Sequence, residues 1–108
     1  MELRLVYITA ADLDEAKRLA SALVAERLAA CANILPGMQS CYWWEGAVQH
    51  EQEVVLIAKT RAARLDALIA RVRALHSYSC PCVVALPITE GDPDYLAWIA
   101  AETADATA

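Results

Sequence analysis

The chain has 108 residues, 58% of them hydrophobic, and a formal net charge of −5, which bounds it to one domain around a single core. No stretch clusters lysine or arginine, so the sequence offers no surface for tracking nucleic-acid phosphates. No apolar run approaches the ~20 residues of a membrane span, and "MELRLVYITA" lacks a positive n-region followed by a small-residue cleavage site.

Leu3 to Thr9 is a nearly continuous run of branched and aromatic residues, which predicts a buried strand. Asp12 and Asp14 offer N-cap chemistry ahead of Ala16, Leu19, Ala20, Leu23 and Val24. That three-and-four spacing predicts a helix with one apolar stripe, ending near Arg27 to Ala30. From Cys31 the helical period is lost, and "CANILPGMQSCYWW" reads as a strand bent or bulged at Pro36-Gly37. Glu45-Gly46 turns the chain, and Ala47 to Thr60 returns as a long strand. A second helix carries Leu65, Leu68, Ile69, Val72 and Leu75 on one face. Cys82 to Leu86 reads as a last strand stopping at Pro87; Asp92 as N-cap and Pro93 at the first helical position then open a short terminal helix.

The order strand, helix, strand, strand, helix, strand predicts an α+β fold, a ferredoxin-like split βαβ. Its antiparallel sheet carries both long helices on one face. A single domain is expected over residues 1–103, with a disordered tail at 104–108. Along the third strand Val54, Leu56 and Ala58 point one way, Val55 and Ile57 the other. Two helices cover one apolar face only, so a second copy of the chain is expected on the other. Without a secretory signal, a cytoplasmic location is expected, and the four cysteines are expected as free thiols or metal ligands.

"ERLAACANILPGMQSCYWWEG", "EVVLIAKT", Leu75-His76 with Tyr78 and Pro81, "VALPI" and "GDPDYLAWI" occur in one register from Leu3 to about Glu102. Together they closely resemble the CutA family, the divalent-cation tolerance proteins. The resemblance implies a ferredoxin-like fold assembled as a homotrimer, its long second and third strands reaching neighbouring subunits. It also implies a role in tolerance of copper and other divalent metals, and an architecture similar to PII signal proteins, whose intersubunit clefts bind small effectors. The family usually shows His-Pro-Tyr, two further residues, then Pro-Glu. Here Ser77 replaces the first proline, Cys80 an aliphatic residue and Cys82 the glutamate.

"HSYSCPC", residues 76 to 82, therefore carries the chemistry in question. Pro81 favours an extended residue before it, so Cys80 and Cys82 can face one cavity, with His76 one turn upstream. Thiolates would select Cu(I) or Zn(II) over hard cations, and a closed site needs a fourth ligand from Cys41, a neighbouring subunit or solvent. Against this stands cysteine as a small buried hydrophobe. Cys31, among alanines, reads as structural. Lys59, ending an apolar strand, has either a structural ion pair or an anionic ligand in an intersubunit cleft. Tyr78, Tyr95 and Trp98 read as cleft and core packing with a polar tip each, Trp43 and Trp44 as interface anchors with Trp44 also at the ligand cleft, and His50 as solvated. A catalytic Cys–His pair lacks an orienting third group, and no glycine-rich phosphate loop or paired acid–base carboxylates accompany it. The expectation is a non-enzymatic, homotrimeric metal-tolerance protein with no obligatory cofactor and metal ions, copper among them, as ligands. The alternative is a PII-like module for a small anionic effector.

Overall fold

The computed structural model describes residues 2–105. Eight elements follow in order: β1 (Leu3–Ala10), α1 (Leu13–Ala25), β2 (Cys31–Trp44), β3 (Ala47–Arg61), a 3-10 turn (Ala62–Arg64), α2 (Leu65–Leu75), β4 (Val83–Ile88) and α3 (Pro93–Glu102). The strands form one antiparallel sheet in the order β2-β3-β1-β4. This is the α+β, ferredoxin-like arrangement expected, with α1 and α2 against one face.

The even-numbered positions of β3 supply that face. Val54, Leu56 and Ala58 join Val6, Ile8 and Ala10 of β1 beneath Ala16, Leu19 and Leu23 of α1 and Leu68 and Val72 of α2. The predicted stripes are thus the buried ones. Asp12 caps α1, its Oδ1 accepting from the Glu15 N–H at 2.8 Å. The helix stops at Ala25, slightly before the expected boundary. Arg27 takes a left-handed φ of 58°, which lets the Leu28 and Ala29 N–H groups close on the Leu23 carbonyl at 2.9 and 3.1 Å.

The predicted irregularities lie where glycine permits them. The β2–β3 register shifts between Leu35 and Met38, around Pro36-Gly37, and the turn at Glu45-Gly46 uses positive φ at both residues. One boundary is corrected: β4 runs through Pro87 to Ile88, with Pro87 opposite Arg4. β4 is an edge strand, where a residue without an N–H is tolerated on the side that has no partner.

Two features bear on function. β1 pairs only with residues 54–61 of β3, so the hairpin formed by residues 38–53 continues past the sheet as a two-stranded ribbon. It stretches the molecule to 46 × 27 × 22 Å and a radius of gyration of 14.4 Å, against ~13 Å for a chain of this length. The second is α3, which lies on the face opposite α1 and α2. There Tyr95 meets Lys59, and Thr103 receives the Arg61 guanidinium through its carbonyl (3.1 Å) and hydroxyl (3.3 Å). Ile99 and Thr103 are fully buried by this contact. Beyond α3 the same face stays open, with Leu35, Val84 and Leu86 each more than half exposed. Of the expected tail, Asp105 sits 3.3 Å from Arg64 and 3.7 Å from Arg61; residues 106–108 lie outside the described residues.

Candidate functional site

Where the ribbon leaves the sheet, the open face folds into a cavity of ≈ 720 Å³. Its walls follow from strand alternation. Ser40, Tyr42 and Trp44 of β2 and Gln49, Glu51 and Glu53 of β3 share the face of Val55 and Ile57. Tyr7 and Thr9 form the floor from β1, and the segment Tyr78 to Cys82, before β4, closes the side.

That segment is fastened from behind by two buried groups. Glu15 of α1 accepts from the Ala11 N–H at 3.0 Å and the Ser77 N–H at 2.8 Å. Burial alone would raise its pKa, but the donors at Ala11 and Ser77 outweigh burial and lower it. His76 donates through Nε2 to the Thr9 carbonyl at 2.7 Å and accepts the Tyr78 N–H at Nδ1, 3.0 Å. Both partners are served by the neutral imidazole with its proton on Nε2, the tautomer this network assigns.

Inside the cavity, Glu53 is only 6% exposed, and its Oε2 accepts from the Tyr78 hydroxyl at 3.1 Å. Among the described residues no ion pair involves Glu53 or Glu51. Burial first, and then the hydrogen bond to Glu53, pushes the Tyr78 phenol far above its ordinary pKa. The Tyr42 phenol is also pushed up, by its hydrogen bond to Glu51. Both phenols therefore remain protonated donors at neutral pH. Burial likewise pushes the Cys82 thiol up, with Glu53 adding to the effect and a hydrogen bond to Thr9 opposing it.

The structure redistributes the residues singled out from sequence. Cys80, Cys82, Tyr78 and Trp44 do line one cavity. His76 does not join them as a ligand, because the chain itself occupies both ring nitrogens. Cys41 falls on the opposite face of the ribbon from Tyr42, exposed, with its Sγ 4.0 Å from His50 Nε2. Among the described residues, no three His, Cys, Asp or Glu side chains converge closely enough to hold a metal ion. The expected set of His76, Cys80, Cys82 and Cys41 is therefore not assembled within one chain. Lys59, Tyr95 and Trp98 form a separate group at the α3 end of the open face. Lys59 Nζ donates to Asn33 Oδ1 (3.3 Å) and the Tyr95 hydroxyl (3.2 Å), and the Tyr95 and Trp98 rings lie 5.5 Å apart. Cys31 adds its Sγ 3.5 Å from the Tyr95 hydroxyl rather than lying buried among alanines.

Glu51, Glu53 and Tyr42 were missed in the sequence. The signal was present: in "QHEQEVVLI" every second residue from Gln49 shares a face with Val55 and Ile57, so the carboxylates continue the open face.

The CutA1 divalent ion tolerance protein family matches residues 4–102. A protein of Oryza sativa subsp. japonica, Protein CutA 1, chloroplastic, is 51% identical over 94 residues, covering 87% of this chain and 53% of that protein. The Divalent-cation tolerance protein CutA of Thermus thermophilus is 48% identical over 98 residues, covering 91% of this chain and 95% of that protein. The crystal structure of CutA1 from Oryza sativa superposes with a TM-score of 0.94 at 46% identity, covering 98% of this chain and 97% of that one. The chain spans about half the length of the rice relative and of the Arabidopsis thaliana Protein CutA, chloroplastic (52%). With its fold and nearly all of its length matched in this way, the chain belongs to the CutA1 divalent ion tolerance protein family.

Proposed function

We propose that this protein acts in cellular tolerance of divalent metal ions, copper among them, as a cytoplasmic homotrimer that binds metal without catalysing a reaction. The observation that carries this reading is Glu53, a carboxylate buried to 6% exposure without a cationic partner among the described residues, in a cavity shared with Cys80 and Cys82. A buried charge requires a counter-charge, and the cavity is where a cation can supply it. The thiols of Cys80 and Cys82 with the Glu53 carboxylate make a mixed donor wall suited to borderline and soft ions. Because one chain does not bring three such ligands together, the site is completed in the assembly by a neighbouring subunit or by solvent.

Assembly is supported by the open face and the ribbon. Leu35, Val84 and Leu86 on the face, and Trp43, Trp44 and Val48 on the ribbon, are exposed. A two-stranded ribbon is marginal alone in water, and large exposed apolar patches mark interaction sites. The number three comes from the family. The four free thiols fit a reducing compartment. Catalysis is disfavoured because His76 has no free nitrogen for a thiol, and burial pushes the Cys82 thiol up, away from the reactive thiolate.

The test is competition for copper and for zinc against a chromophoric chelator, comparing wild type with the Cys80→Ser, Cys82→Ser double variant. Metal uptake that falls in the variant while the assembly stays intact supports the reading; equal uptake by both sinks it. A second reading, a small anionic effector, is favoured by Lys59. Its ammonium has polar and aromatic neighbours but takes part in no ion pair among the described residues. Loss of effector binding in Lys59→Met, with metal uptake unchanged, would establish that second site.

A further inference from the structure

We propose that the same cavity also binds a small organic ammonium ion, a linear diamine being the simplest example, with its charge on Glu53 and Glu51 and its carbon chain against the aromatic walls. The cavity, at ≈ 720 Å³, has far more room than one ion needs and lies in the ~300–1,000 Å³ range of small-molecule sites. Four aromatic side chains line it, Tyr7, Tyr42, Trp44 and Tyr78. Aromatic faces combined with carboxylates are the pairing that recognises alkylammonium groups, through cation–π attraction and charge-assisted hydrogen bonds.

The polar groups are arranged for a donor-bearing cation. Tyr78 donates to one oxygen of Glu53, so that carboxylate is oriented by a phenol, and Tyr42 and Glu51 share the same cavity wall. Glu53 is buried, and no ion pair among the described residues neutralises either carboxylate. Among the described residues of one chain no lysine or arginine lines the cavity, and Glu45 adds a third carboxylate, so the wall this chain supplies favours a cationic occupant. Glu51 and Glu53 stand two residues apart on one strand face, a spacing of ~6.6 Å that a four-carbon diamine can bridge. The thiols take no part. The proposal therefore goes beyond the metal reading and does not depend on it.

The experiment is calorimetric titration of the assembled protein with 1,4-diaminobutane, and with 1,4-butanediol and succinate as neutral and anionic counterparts of the same length. The expected result is saturable binding of the diamine alone. It should weaken severalfold in Glu51→Gln, and about tenfold or more in the Glu51→Gln, Glu53→Gln double variant. Glu51 is exposed, so the single variant keeps the test available if the double variant fails to fold. The Cys80→Ser, Cys82→Ser variant should retain diamine binding whatever happens to its metal uptake, which separates the two proposals. Butanediol binding as tightly as the diamine, diamine affinity unchanged in Glu51→Gln, or no diamine binding by wild type would each overturn it.

Discussion

Replacing Glu15 with alanine should cost far more stability than a charged residue on a helix's first turn usually does. Its carboxylate is 3% exposed at the residue level and accepts two backbone N–H groups, from Ala11 and from Ser77. Hydrogen bonds to a charged group contribute ~1.5–3 kcal/mol each, and alanine leaves both donors without an acceptor. Allowing for partial rescue by water, the expected loss is about 3–5 kcal/mol. Glu15→Gln keeps one acceptor oxygen but turns an amide donor toward the other N–H, so about half that loss is expected. The assay is urea unfolding at fixed protomer concentration, since assembly makes apparent stability concentration-dependent. The pH dependence is a second signature. The folded pKa of Glu15 lies below its ordinary 4.5, so its contribution is complete above that value and is lost as pH falls through the folded pKa. Wild type should therefore lose stability more steeply than Glu15→Gln in acid. A loss below about 1 kcal/mol in Glu15→Ala, or equal acid slopes, would show that Glu15 does not fasten the 76–82 segment.

Three further outcomes follow from packing and exposure. Leu56→Ala, at a fully buried site between the sheet and the helices, should cost about 2–5 kcal/mol by chemical denaturation, whereas His50→Ala on the exposed ribbon should stay within about 0.5 kcal/mol. Leu86→Glu places a charge on the open face without touching the core, so sedimentation should show smaller species while wild type shows no folded monomer; an unchanged assembly would mean that Leu86 is not covered by a partner. Iodoacetamide at pH 7 should label exposed Cys80 before Cys82, whose thiol burial pushes up, and labelling of Cys82 should accelerate as pH rises; equal rates at pH 7 would contradict the placement.

Most of the fold was legible because each element is marked by its own local chemistry. Asp12 and Asp92 cap the helices that follow them, at 2.8 and 2.9 Å, and the period-two pattern from Val54 to Ala58 separates core face from open face. The position of α3 was not legible. Its amphipathic pattern names a buried side, but only the Tyr95–Lys59 and Thr103–Arg61 contacts decide which sheet face receives it. The site was legible in part. Proximity along the chain suggested His76 beside Cys80 and Cys82, and sequence carries no sign that the Thr9 carbonyl and the Tyr78 N–H occupy both imidazole nitrogens. Cys41 was assigned by residue type, yet strand parity puts it on the face away from Tyr42 and Trp44. The carboxylates were overlooked because a polar alternating strand end reads as solvated until the Tyr78 hydroxyl is seen to donate to Glu53 inside the cavity.

The central claim, a cation-binding assembly built on the open face, is tested most directly by native mass spectrometry of wild type and the Cys80→Ser, Cys82→Ser variant with copper, with zinc and without metal. The account predicts a trimer in every sample, with metal-bound masses for wild type that diminish in the variant. A folded monomer, or identical metal loading of the two proteins, would contradict it.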